Sequence, residues 1–299
     1  MSLSELRISR RSVAIAAVLV GMVSLAIGAH AALNMRALDS AKATASEQAG
    51  DAAKNKPSRI ALVIGNGHYP DANAPLTQPI NDARALTASL RRDGFDVDVV
   101  EDATKDDMGR ALVRLKSRIR PDSVVMLFFG GYGVQVGHES YMIPVDAAIW
   151  KESDVRRDGL SVETVLDAMK EQGACAKLVV IDASRRNPYE RRFRTFSHGL
   201  APIVAPDNAL ILTSATPDQV ADDSAGQHSV LMSELLANLN SLNANESNKA
   251  LAARATAAEA IFNKTRVAIS RASDGAQVPS VSSSLLEDVR FGVTANAGG

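Results

Sequence analysis

Two hydroxyl side chains that follow apolar stretches of the chain are the first candidates for chemistry. Tyr132 lies in "VVMLFFGGYGVQV", where an apolar run ends in glycines, and Ser184 lies in "KLVVIDASRRNPY", after a second apolar run. The two residues are 52 positions apart, 184 − 132. A serine hydroxyl attacks a carbonyl only when a base activates it, and tyrosine, with a reference pKa of about 10, is a poor base at neutral pH. The pair therefore lacks the usual division between nucleophile and base.

Alternating strand and helix patterns are expected to position these residues. Short apolar or alternating runs predict five strands, in "RIALVIG", "FDVDVV", "SVVMLFF", "KLVVID" and "NALILTSA". Apolar spacings of three and four predict helices between them, and "YGVQVGHESYMIPV" predicts a hairpin. The alanine-rich stretch 245–269 is also predicted to be helical. This alternation predicts an α/β fold with a parallel sheet, whose carboxyl edge collects ligands and reactive groups.

The N-terminal part of the chain has a different character. Three arginines in the first eleven residues precede an uncharged apolar run, 12–33, that is long enough to cross a membrane once. The basic flank places the N-terminus in the cytoplasm. The triplet Ala-His-Ala at 29–31 also fits a cleavage site, so 1–33 is predicted to be either a signal anchor or a removed signal peptide. A polar linker, 34–58, follows, and the folded domain is expected on the non-cytoplasmic side, membrane-anchored or exported.

Composition argues against several functional classes. The net charge is −1 and aromatic residues make up 4% of the chain, which disfavours a nucleic-acid partner. Cys175 is the single cysteine, so neither an intramolecular disulfide nor a thiolate zinc cluster can form. The acidic loop around Asp218, Asp222 and Asp223 lacks the spacing of a calcium-binding loop. We therefore predict no metal and no cofactor.

Several segments together resemble the caspase-like cysteine proteases, the group of caspases, metacaspases and bacterial orthocaspases. The segment 130–133 matches the family's Ser-Gly-His-Gly, and 182–184 matches its Asp-x-Cys. Further similar segments, in the same order as in the family, are "ALVIGNGHY", "PINDA", "ESYMIPVDA" and "QVPSVSSSLLEDVRF". The resemblance implies a caspase-like sandwich over 59–295, with a mostly parallel six-stranded sheet and helices on both faces. It divides the domain into a large-subunit-like part, 59–200, and a small-subunit-like part, 201–295.

The resemblance also assigns site residues. Tyr132 and Ser184 stand at the positions of the family histidine and cysteine, so both reactive groups differ from the family pattern. Asp82 in "PIND" and Asp182 in "IDAS" match the acidic residues with which metacaspases select a basic side chain. Two other roles stay open, since Asp82 is also placed to cap a helix and Asp182 to hold the backbone at a strand end.

The resemblance also places two glycines among the predicted substrate-binding residues. Gly130 stands where the family usually has serine beside the specificity pocket, and Gly131 follows it.

Two further residues are relevant to a hydrolytic alternative. His68, at the end of the first strand, is a possible base for Ser184, and Arg185 is a possible aid to an oxyanion.

The resemblance, with both reactive residues changed, implies a caspase-fold pseudoprotease that works as a peptide-binding or regulatory module. The expected partners are a basic peptide or protein segment or an active caspase-like relative, with membrane attachment through the N-terminal segment and possible homodimer formation. Two alternatives remain. One is an active endopeptidase that cuts after basic residues with Ser184 as nucleophile, and the other is a structural envelope protein.

Overall fold

The computed structural model describes residues 58–70, 75–189, 191, 199–221, 226–243 and 256–292. All of these lie within one compact unit, Pro57–Gly299. The predicted membrane or signal segment, 1–33, lies outside the described residues, as does nearly all of the predicted linker. Within the described ranges, none of the helices has the length and apolar character needed to cross a bilayer.

The described elements alternate between strands and helices, as the sequence predicts. The strands are β1 (Arg59–Gly65), β2 (Asp96–Glu101), β3 (Val124–Gly130), β4 (Gly133–Val136), β5 (Glu139–Met142), β6 (Leu160–Ser161), β7 (Ala176–Asp182), β8 (Ala209–Thr213), β9 (Thr256–Ala257), β10 (Ser280–Ser283) and β11 (Arg290–Phe291). The helices are α1 (Gln78–Arg92), α2 (Lys105–Arg118), α3 (Glu152–Asp158), α4 (Val162–Glu171), α5 (Val230–Asn243) and α6 (Ala258–Ala272).

The central sheet has six strands in the order β10-β8-β7-β3-β1-β2. Its strands are parallel except β10, which runs antiparallel to β8 at one edge. Two smaller antiparallel pairings flank it: β4-β5-β6, which contains the predicted hairpin, and β9-β11. The predicted mostly parallel six-stranded sheet is therefore confirmed.

Helices cover both faces of the sheet because its central strands are apolar on both sides. Alternate residues of a strand point to opposite faces. In β3, Met126 and Phe128 pack in one cluster with residues of α1, α5 and α6. Val125 and Leu127 pack in a second cluster with residues of α2 and α4. All seven residues of β3 are buried, which explains why this strand reads as a continuous apolar run.

Local signals account for several element boundaries. Thr104 and Asp107 form a capping box at the start of α2, with the Thr104 Oγ1 accepting from the Asp107 backbone N–H at 3.2 Å. The predicted helix 245–269 is described from residue 256, and there Thr256–Ala257 form β9 instead of helix; α6 begins at Ala258. The closing segment of the resemblance, 277–291, supplies both β10 and β11.

The register of the parallel strands places the carboxyl ends of β1, β3 and β7 next to one another at the same edge of the sheet. Gly65 of β1 is paired with Gly130 of β3, and Gly130 is paired with Asp182 of β7. The residues that follow these three positions therefore leave the sheet side by side. Tyr132 and Ser184 are among them.

Candidate functional site

The segments that carry Tyr132 and Ser184 remain in contact beyond the ends of β3 and β7. The Gly131 N–H donates to the Asp182 carbonyl at 3.3 Å, and the Gly133 N–H donates to the Ala183 carbonyl at 3.0 Å. The structure thus brings the two positions together on adjacent strands, as the sheet topology predicts.

Tyr132 packs against a second tyrosine and is hydrogen-bonded to it. Its backbone N–H donates to the Tyr69 Oη at 3.1 Å, and the two rings meet edge to face with centroids 4.9 Å apart. Tyr69 in turn donates to the Ile143 carbonyl at 3.0 Å. Burial raises the pKa of Tyr69, so this hydroxyl remains a neutral donor at physiological pH. Tyr132 is therefore held at its backbone and against its ring.

The two glycines before Tyr132 are required by close packing. A Cβ on Gly131 would lie 2.5 Å from the Tyr69 Oη, and one on Gly130 would lie 3.2 Å from the Phe128 ring. The first distance is a clash, and the second leaves little room for the serine that the family usually carries there. Their proposed part in substrate binding stays a prediction.

Asn66 connects the end of β1 to its neighbours. The fully buried side-chain amide donates to the Ile143 carbonyl at 3.1 Å and accepts from the Ala103 N–H at 2.8 Å. Its backbone N–H donates to the Gly130 carbonyl at 2.8 Å. Asn66 therefore stabilises the backbone from which Gly131 and Tyr132 project.

Ser184 is enclosed rather than exposed. Only 1% of the residue is accessible, its N–H donates to the Ser214 Oγ at 3.3 Å, and its carbonyl accepts from the Ala221 N–H at 2.6 Å. Its Oγ is buried and has no hydrogen-bond partner among the residues that the structure describes. Tyr132 is consequently not bonded to this hydroxyl.

His68 is directed to a different partner. Its Nδ1 lies 2.6 Å from the Oδ2 of Asp102, which follows β2, and the histidine side chain is 69% exposed. Although burial opposes it, hydrogen bonds from the backbone N–H groups of His68 and Gly67 lower the pKa of Asp102. Because β1 and β3 separate β2 from β7 in the sheet, His68 is not brought to Ser184 as a base.

The two predicted acidic residues are brought together, and Asp82 does not cap its own helix. The N-cap of α1 is Thr77, and Asp82 lies one turn further along, fully buried. Its carboxylate accepts from the His228 Nδ1 at 2.8 Å and from the Ser229 N–H at 3.2 Å, just before α5 begins. Burial, with the nearby charge of Asp182, raises the pKa of Asp82 to about 6. The alternative role, in which Asp82 caps the helix that follows it, is therefore wrong.

The Asp182 carboxylate lies beside an arginine from the loop that follows it. The Oδ1 of Asp182 lies 3.7 Å from the Arg185 Nη1, while its Oδ2 is buried without a hydrogen-bond partner in the described part of the chain. The same guanidinium nitrogen donates to the Asp182 carbonyl at 2.5 Å and to the Gly131 carbonyl at 3.0 Å. Arg185 thus holds the backbone between the ends of β3 and β7.

His228 is the site residue that sequence reasoning missed. It stands in "GQHS", directly before the apolar pattern of α5, and this position by itself suggests only a helix start. Its partner Asp82 is 146 residues away, so the pair becomes visible only in the tertiary structure. In the described ranges, no group of three or more His, Cys, Asp or Glu residues has the arrangement of a metal site.

Comparison with known proteins agrees with the fold. A family model described as the caspase domain matches residues 58–290. The chain therefore belongs to the caspase-domain family, whose members form the cysteine-type peptidase group that the sequence resembles.

Two relatives share part of this domain. The human mucosa-associated lymphoid tissue lymphoma translocation protein 1 is 30% identical over 133 residues, and its homologue from Mus musculus is 31% identical over 133 residues. The aligned region is 44% of this chain but only 16% of each relative. The likeness thus concerns one domain of much longer proteins.

Proposed function

We propose that this chain is a caspase-fold pseudoprotease that binds a basic peptide or protein segment, or an active caspase-like relative, without cutting it. The N-terminal segment would place this binding module at the membrane or in an exported compartment. The observation that carries the proposal is the state of Ser184, whose hydroxyl is enclosed at the nucleophile position without a bonded base.

The chemistry of the two replaced groups supports this conclusion. A cysteine thiolate is available near neutral pH, whereas a serine hydroxyl needs a base that removes its proton. Tyr132, at the histidine position, does not bond the Ser184 Oγ, and His68 is paired with Asp102. Loss of the nucleophile or of its base costs on the order of 10⁶-fold in kcat in a serine protease. Both groups differ here.

The acidic pair supports binding of a positively charged side chain. Asp82 and Asp182 are close enough for the charge of one to raise the pKa of the other, and the Oδ2 of Asp182 has no hydrogen-bond partner among the described residues. Buried carboxylates in such an arrangement are stabilised by a cation. Recognition of a basic side chain requires only these contacts, whereas catalysis also requires transition-state stabilisation.

The test compares hydrolysis by the full-length chain with that of matched variants. Wild type, Ser184→Ala and Tyr132→His/Ser184→Cys are incubated with fluorogenic peptides carrying Arg, Lys or Asp before the scissile bond. Wild type and Ser184→Ala are expected to share the background rate, since no activated nucleophile is lost. Cleavage by wild type that disappears in Ser184→Ala would instead establish an endopeptidase with Ser184 as nucleophile.

The stability of Ser184→Ala provides an internal check on the same variant. Removing a buried hydroxyl that has no partner relieves its desolvation cost, so we expect the free energy of unfolding to be unchanged or to rise by about 1 kcal/mol. Urea unfolding followed by circular dichroism measures this change. A loss greater than about 1 kcal/mol would mean that the Ser184 Oγ is bonded after all.

Binding is tested with a fluorescent peptide containing one arginine and with a control in which neutral citrulline replaces it. We expect Asp182→Asn to weaken binding of the arginine peptide only. If neither peptide binds and no relative is retained on the immobilised chain, a structural envelope role replaces the proposed one.

A further inference from the structure

The first turns of α1 hold a short loop over the Asp82 carboxylate. Each residue of the loop 226–229 makes a hydrogen bond with α1: Gln78 donates to Gly226 at 3.3 Å, Asn81 donates to Gln227 at 3.2 Å, and Asp82 accepts from His228 at 2.8 Å and from Ser229 at 3.2 Å. The Asp82 carboxylate, the expected receptor of a basic side chain, is therefore covered by the chain itself.

The second carboxylate also has a partner from the same chain. Arg185 lies against Asp182 and bonds two backbone carbonyls with the same guanidinium nitrogen. Each of the two acids is thus matched by a nitrogen donor of this protein. An incoming basic side chain would have to replace one of these donors.

The two donors differ in how readily they can be displaced. The Arg185 side chain is 6% exposed, and its removal would leave the buried Gly131 carbonyl without this donor, which is costly. The His228 side chain is 27% exposed, and it lies next to the solvent-facing part of the loop. His228 stands in a loop before α5 and in no strand of the central sheet, so its displacement leaves the strand pairing intact.

We propose that His228 determines which ligands reach the acidic pair, Asp82 and Asp182, because a basic side chain contacts Asp82 by displacing this imidazole. The inference rests on the proposed function, and it assigns to His228 a specificity role within that site. His228 is the gate residue, and Asp82 is the carboxylate that it covers.

The same geometry selects among basic ligands. A ligand that displaces His228 must replace the lost hydrogen bond to Asp82, and it also meets the Asp182 Oδ2 that lacks a hydrogen-bond partner among the described residues. A guanidinium has five donors in a planar fork and can bond two neighbouring carboxylates, whereas an ammonium acts as a compact point charge. Arginine is therefore the preferred basic residue, ahead of lysine.

The test measures fluorescence anisotropy of peptides that carry arginine, lysine or citrulline at one position, with the full-length chain at constant pH. His228→Ala removes the competing donor, so we expect it to bind the arginine peptide roughly tenfold more tightly than wild type does. The citrulline peptide is expected to show no such gain. His138→Ala, at the tip of the β4–β5 hairpin, is the matched control and should leave every affinity unchanged.

A second variant separates displacement from damage to the loop. In His228→Asn the amide nitrogen takes a position close to that of the imidazole Nδ1 and still donates to Asp82, so we expect it to bind like wild type. Thermal unfolding of both variants checks that each is folded. A folded His228→Ala variant that binds the arginine peptide equally or more weakly than wild type would overturn the gate role and leave binding itself intact. Absence of arginine-specific binding in every protein, His228→Ala included, would overturn the proposed function and the gate together.

Discussion

Asp82→Asn is the substitution for which the structure makes the sharpest quantitative prediction. The side chain is fully buried, and burial, together with the charge of Asp182, raises the pKa of its carboxyl to about 6. Asparagine keeps an oxygen that can accept from the Ser229 N–H, so the contact between α1 and the start of α5 is retained. The substitution removes the carboxyl group that gains or loses a proton as the pH changes.

The sign of the effect follows from which state holds the proton. Below the ordinary aspartate pKa of 3.8, Asp82 is protonated in both the folded and the unfolded chain. Between 3.8 and about 6 the folded chain keeps the proton that the unfolded chain has lost, so the stabilising contribution declines as pH rises through this window. At about 1.4 kcal/mol per pH unit, the full decline is roughly 3 kcal/mol. Asp82→Asn is expected to lack this decline.

The assay is urea unfolding of wild type and Asp82→Asn at closely spaced pH values from about 4 to 7. The difference in the free energy of unfolding, variant minus wild type, should increase with pH and level off above about 6. Asp158→Asn, followed from about pH 7 down to about 2, is the control of opposite sign. A hydrogen bond from Arg157 lowers the pKa of Asp158, so its stabilising contribution is lost as pH falls below the ordinary 3.8. A variant-minus-wild-type difference for Asp82→Asn that does not change with pH would refute the reasoning.

Two further predictions concern the packing beneath Tyr132. Gly131→Ala should destabilise the fold by about 2 kcal/mol or more, because the new Cβ would lie 2.5 Å from the Tyr69 Oη. Gly109→Ala, in the interior of α2 where a Cβ meets no atom within 4 Å, should stabilise it by about 0.5–1 kcal/mol. Both are measured by urea unfolding, and equal effects of the two alanines would contradict the packing argument. Tyr69→Phe should cost about 1–3 kcal/mol, since it leaves the Tyr132 N–H without its acceptor, whereas the Ile143 carbonyl keeps its hydrogen bond from Asn66. A loss below about 0.5 kcal/mol would show that water replaces the hydroxyl.

Much of the fold was predictable from the chain alone because it depends on local patterns. The apolar runs of β1, β3 and β7 are continuous since both faces of the central sheet are covered, and the capping box at Thr104 is a contact between residues three apart. Parallel strands have a common carboxyl edge, which brought Tyr132 and Ser184 together in the prediction as in the structure. The family motifs lie at these same strand ends.

The state of the site was decided by contacts between distant parts of the chain. The pairing of Asp82 with His228 joins residues 146 positions apart, and the enclosure of Ser184 depends on Ala221 and on Ser214 after β8. Hydrophobic periodicity specifies which residues are buried, but it does not specify which polar group meets which inside the core.

The amino-acid sequence by itself therefore determined the caspase-like architecture and the position of Tyr132 and Ser184 after neighbouring strands. Only the tertiary structure decided that Asp82 is covered by His228 and that the Ser184 hydroxyl is enclosed. The physical reason is that strand and helix patterns arise from neighbours along the chain, whereas hydrogen bonding and desolvation of a buried group depend on every segment that packs around it.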